Sequence, residues 1–182
     1  MHQLIGSIVL VCGFMWTAIA GQQPVVKGTK PASPDAPFIG SAAMESLATV
    51  EHSRLATQNA SSADVKQFAQ RIIDDHRKAG DELKGLASPR EIVLDTKLDD
   101  QHRATQETLA KLTGADFDKA YMAQMLKAHL QAVALFQQEM KSGQDRDVKA
   151  WATKRLPTLQ EHVKTASTLT GTVGKAGKQG NK

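Results

Sequence analysis

From residue 36 onward apolar side chains recur at three- and four-residue intervals, the spacing of helices that bury one face. A first helix is predicted from about Ala36 to Asn59, with Met44, Leu47, Ala48, Glu51 and Leu55 along one side. Ser61-Ser62-Ala63-Asp64 offers caps for a second helix to about Leu86, whose stripe is Val65, Phe68, Ala69, Ile72, His76, Ala79 and Leu83. Gly85 and Ser88-Pro89 stop it. A shorter amphipathic segment, about Glu91 to Leu112, carries Leu94, Leu98, His102, Thr105, Leu109 and Leu112 and reads as a crossover helix ended by Thr113-Gly114. Asp116 is placed to cap a third main helix to about Lys141, with Met122, Met125, His129, Ala132, Phe136 and Met140 in line. The last helix, about Asp145 to Leu169, turns Val148, Trp151, Ala152, Leu159, His162, Ala166 and Leu169 inward and carries a kink at Pro157. Four long amphipathic helices predict an all-α bundle with an additional short helix between main helices two and three.

The departures from this pattern carry the chemistry. Glu51, His76, His129 and His162 each take an apolar position near the middle of a main helix, and a buried polar group needs a partner or a purpose. With about 1.5 Å of rise per residue, the four come to similar heights. Three neutral imidazoles and a carboxylate are a ligand set suited to a transition metal such as zinc, iron or copper. Met122 and Met125 would add soft donors for copper. The competing reading is a buried Glu–His hydrogen-bond network. Asp75 and Glu161 adjoin His76 and His162 but point about 100° away on a helix of 3.6 residues per turn, so at best they are candidates to support a histidine rather than to bind the ion. Tyr121, two turns before His129, could donate into the same network, while His52 and His102 are weaker candidates.

Other chemistries find less support. Di-iron bundles use Glu-x-x-His pairs, whereas Ile73, Leu126 and Leu159 stand three residues before the histidines, which argues against a ferroxidase centre. The chain lacks G-x-S-x-G, H-E-x-x-H and a Gly-rich phosphate loop. No catalytic residue is therefore assigned, and acid/base catalysis by a His–Glu pair stays the least supported option.

Composition agrees with helices: aromatics are 4% of the chain, and Ala, Leu, Lys, Gln and acidic residues dominate beyond residue 36. Residues 1–20 contain no Lys, Arg, Asp or Glu and pass from an apolar stretch into Ala18-Ile19-Ala20, the form of a cleaved export signal. The one cysteine, Cys12, lies within it, so the mature chain is expected to be free of thiols. A periplasmic or secreted location follows as the expectation. Residues 21–35 and 171–182, rich in Gly, Pro, Lys and small polar side chains, read as disordered flanks to a domain over 36–170. The net charge is +4, but Lys27, Lys30, Lys175, Lys178 and Lys182 lie in the flanks, and the remaining 18 basic against 19 acidic residues leave −1. Specific nucleic-acid binding is not expected from such a domain. A protein partner or self-association stays open.

The segments F-I-G-x-A-A-M-E-S-L-A-T-V-E (Phe38 to Glu51) and V-K-Q-F-A-Q-R-I-I-D-D-H (Val65 to His76) resemble the bacterial family called domain of unknown function 4142. So do L-T-G-A-D-F-D-K-A-Y-M-A-Q-M-L-K-A-H (Leu112 to His129) and L-P-T-L-Q-E-H (Leu156 to His162), and the resemblance spans about residues 36 to 170. It implies a ferritin-like four-helix bundle in an exported bacterial protein, with Glu51, His76, His129 and His162 at the family's motif positions. It brings no activity with it. His52-Ser53 departs from an apolar residue and glycine in many relatives, which bears on packing in helix one.

Overall fold

The computed structural model describes residues 33–179, with side chains to residue 174. The expected export signal, and the flanking segment up to residue 32, lie outside these described residues. Among the described residues there are five α-helices: α1 (Ala36–Asn59), α2 (Ala63–Ala87), α3 (Asp100–Ala110), α4 (Gly114–Ser142) and α5 (Arg146–Gln179). α1–α2 and α4–α5 are tight hairpins, and a long connection through α3 joins them. At one end of the bundle Phe38 packs on Phe136 and Trp151, with ring centroids 5.1 and 6.1 Å apart. At the other end Ala60 pairs with Gly114. α1 and α5 therefore run one way while α2 and α4 run the other. None of the described helices is long and apolar enough to cross a membrane.

Each hairpin loop is held by a buried aspartate from the other hairpin. Asp118 of α4 accepts from the Ser61 and Ser62 amides at 3.0 and 2.9 Å and from the Ser61 hydroxyl at 2.6 Å, so it serves the N-terminus of α2. Asp35, just before α1, accepts from the Gln144 and Asp145 amides at 3.0 and 2.6 Å. These carboxylates satisfy orphan N–H groups where helix ends leave them, and a negative charge is favoured there. Arg90 adds a two-pronged grip on Asp145, at 2.7 and 2.6 Å, from the 3-10 turn Ser88–Arg90.

Several predicted boundaries move. Residues 91–99 form no regular helix, and α3 is only 11 residues long, capped by Asp99, whose side chain accepts from the His102 amide at 2.8 Å. α4 starts at Gly114, whose φ of 62° follows Thr113, so Asp116 lies in the first turn rather than at the cap. α5 continues through Pro157 and on to Gln179, making the stretch from Gly171 helical where a disordered tail was expected.

The core consists of two apolar clusters. One gathers Ala56, Phe68, Ile72, Phe117, Met122 and Ala166, the other Phe38, Ala79, Leu83, Phe136, Trp151 and Leu159. Between them every main helix presents a polar side chain, with His76 on α2, His129 on α4, His162 on α5 and Ser46 on α1. One buried row of α1 is thus Ile39, Ala42, Ser46, Thr49, Ser53 and Ala56. Of the predicted stripe, Ala48 is buried while Met44, Leu47 and Leu55 are half-buried. Small side chains on α1 leave room for the three imidazoles that the other helices contribute.

Candidate metal centre

The positions of the three histidines follow from helix periodicity. On α2, α4 and α5 each takes the inward position between the two apolar clusters, four residues on from Ile72, Met125 and, less one, Leu159. His129 and His162 are each 1% exposed and His76 is 8% exposed. One ring nitrogen from each lies within 4.8 Å of those of the other two. The ring centroids are 5.4 Å apart for His76–His129, 5.7 Å for His76–His162 and 5.1 Å for His129–His162.

Hydrogen bonds select one nitrogen on each ring. His129 Nδ1 donates to the Met125 carbonyl at 2.8 Å. His162 Nε2 donates to Asp75 Oδ2 at 2.9 Å. The Ser46 hydroxyl donates to the His76 carbonyl at 3.1 Å, and its oxygen then accepts from His76 Nδ1 at 3.3 Å. These assignments leave lone pairs on His76 Nε2, His129 Nε2 and His162 Nδ1. The first two are 3.3 Å apart. His162 Nδ1 is buried and has no hydrogen-bond partner among the described residues.

Burial also keeps the rings neutral. It is the largest cause pushing the His76 pKa well below 6.5, with the His129, His162 and Arg155 charges adding to it. His129 is lowered to about 4 by burial and then by His162, against the pull of the Met125 carbonyl. For His162 burial again leads, opposed by the hydrogen bond and charge of Asp75. Neutral imidazole is the form that binds metals.

Of the four predicted site residues, the structure brings together His76, His129 and His162. Glu51 is not grouped with them: it is half-buried, lines the groove between α1 and α2 and pairs with Arg54 at 2.6 Å. Its position on the predicted stripe was the wrong face of α1. Tyr121 is also separate, bonded to Ser53 at 2.8 Å within the first apolar cluster. Met122 and Met125 are fully buried in that cluster, and Met125 serves the site through its carbonyl. His52 donates through Nε2 to the His102 carbonyl at 3.1 Å, and His102 faces Asp99 and Glu45, so this pair fastens α3 to α1. One contributor gives no signal in the sequence: Ser46, because a hydroxyl on a helix leaves no periodic mark. Asp75, a candidate support beside His76, supports instead His162 on a neighbouring helix.

These features describe a helical bundle of two hairpins packed around a buried histidine triad. The chain belongs to the family described as domain of unknown function DUF4142, whose sequence pattern matches residues 20–169. No curated protein matches it. Among solved structures it is similar to a DUF305 protein from Streptomyces coelicolor, a candidate secreted protein, with a TM-score of 0.68 and 17% identity over 80% of this chain and 95% of that one. A DUF305 fragment from Deinococcus radiodurans is similar at a TM-score of 0.68 and 15% identity, covering 80% of this chain and 99% of that one. At these identities the likeness concerns the fold.

Proposed function

We propose that the protein is an exported, ferritin-like bundle that binds one transition-metal ion through His76, His129 and His162. The observation that carries this reading is that one ring nitrogen from each of the three buried histidines lies within 4.8 Å of those of the other two, while His162 Nδ1 is buried with no hydrogen-bond partner among the described residues. Two lone pairs at 3.3 Å repel unless a cation or proton lies between them. In a tetrahedral site with metal–nitrogen bonds of about 2.0–2.1 Å the ligand atoms are about 3.3–3.4 Å apart, so the His76–His129 spacing already fits. The outward nitrogens held by a carboxylate, a carbonyl and a hydroxyl are the supports that metal-binding histidines use. An all-imidazole set suits zinc, copper and iron.

The test is titration of metal-free protein with zinc, copper and anaerobic iron(II). One ion per chain is expected, and His129→Ala should abolish binding. A protein that takes up none of the three would overturn the proposal. A second reading has one observation in its favour: a tautomer change would let His76 Nε2 donate to His129 Nε2 across the same 3.3 Å. The triad would then be a structural network, and its substitutions would lower thermal stability with no metal dependence.

A further inference from the structure

One side of the triad is thinly covered. Along the bundle it lies between the two apolar clusters, but a groove of about 1050 Å³ between α1, α2 and residues 91–96 reaches it from the side. His76 and Ser46 line this groove, whereas His129 and His162 do not. His76 is also 8% exposed against 1% for each of the other two. Its ring has Nδ1 3.3 Å from the Ser46 hydroxyl and Nε2 3.3 Å from His129 Nε2, so it stands between the groove wall and the rest of the triad.

The side chains that could screen His76 are missing. On a helix a side chain leans toward the N-terminus and shields the turn before its own Cα, so the shield for His76 would come from position 80. That position is Gly80, which lines the groove. α1 and α2 are antiparallel and Ser46 meets His76, so Ala43, one turn earlier in α1, faces the same stretch. Glycine inside a helix costs about 1 kcal/mol relative to alanine, yet a Cβ at Gly80 would meet nothing within 4 Å. Packing therefore does not call for glycine, and its effect is to leave the approach to His76 open. The groove is also charged, with Glu51, Asp81, Glu91 and Asp95 outnumbering the three cationic side chains that border it. A hydrated cation is tolerated there and not in the apolar clusters.

We infer that the metal ion enters and leaves the triad through this groove, meeting His76 first, and that Gly80 keeps the route open. The inference rests on the metal reading above and concerns the rate of exchange rather than the affinity.

Zinc exchange in the full chain tests it, or exchange of whichever of copper and iron(II) the titration above shows to bind. Stopped-flow uptake by metal-free protein and release to excess EDTA are compared in the native chain, Gly80→Leu and Gly85→Leu. Gly85 lies on the same helix, has open space at its Cβ and does not line the groove. Gly80→Leu should slow uptake and release alike, by about tenfold or more, and leave their ratio, the Kd, unchanged; Gly85→Leu should exchange at the native rate. Ala43→Leu closes the groove from α1 should Gly80→Leu not fold. Folded groove-filling variants that exchange metal at the native rate, or that slow release without slowing uptake, would overturn the inference alone. So would an equal slowing in Gly85→Leu. A chain that takes up no metal overturns it together with the reading beneath it.

Discussion

At the residue scale the charge state of the site is set by what each imidazole is tied to. Asp75 is the most consequential support, because its carboxylate fixes His162 with the proton on Nε2. Replacing a supporting carboxylate of this kind costs about 10–100-fold in metal affinity. Asp75→Asn is therefore expected to weaken metal binding by that factor while the fold persists, as measured by competition with a chelator of known affinity. Glu51→Gln should leave affinity unchanged, since Glu51 pairs with Arg54 outside the triad. An equal loss in both variants would contradict the geometry. The three histidines were legible in the sequence because each interrupts a clear apolar stripe. Glu51 misled for the converse reason: on α1 the stripe itself was misjudged, and the carboxylate inherited the error.

At the element scale the difficulty with α1 has a physical source. Pattern reading weighs large apolar residues, but one buried row of this helix is Ile39, Ala42, Ser46, Thr49, Ser53 and Ala56, small side chains after the first. The helix count and the stripes of α2, α4 and α5 were readable because Leu, Ile, Phe and Met mark their inward faces. The short crossover was not, since residues 91–99 rest Ile92 and Leu94 on the bundle, leave Val93 exposed, and form no helix. Hairpin geometry depends on the two aspartates. Asp118→Ala removes three hydrogen bonds from a buried carboxylate. Hydrogen bonds to charged groups contribute about 1.5–3 kcal/mol each, with incomplete additivity, so a loss of about 2–4 kcal/mol is expected in urea unfolding. Gly143 is a second sensitive point, because a Cβ there would meet the Glu139 side chain and lie 2.6 Å from the Glu139 carbonyl oxygen.

At the scale of the whole molecule two groups of opposite sign set the pH profile of the metal-free protein. The triad's pKa values are depressed on folding, His129 to about 4 from 6.5, so the unfolded chain binds protons that the folded chain refuses. Stability from this source is complete above about 6.5 and is lost as pH falls toward 4. Glu139 behaves in the opposite sense. Burial first, and then the negative charge of Asp35, raise its pKa to about 7 from 4.5. Its contribution is complete below about 4.5 and disappears as pH climbs through 7. Urea titrations between pH 4 and 8 should show both limbs, with His129→Gln flattening the acid one and Glu139→Gln the neutral one. Metal at 100 times its Kd adds about 2.7 kcal/mol, and a domain of this size gains about 2–4 °C in Tm per kcal/mol; calorimetry should show a rise on the order of 5–10 °C, absent in His129→Ala. The reciprocal placement of Asp35 and Asp118 also bears on the order in which the chain acquires structure. As synthesis proceeds from the N-terminus, the α1–α2 turn emerges with its amides unanswered, and the carboxylate that answers them follows 57 residues after Ser61. The first hairpin therefore lacks these three hydrogen bonds until the second has arrived, and each hairpin completes the turn of the other.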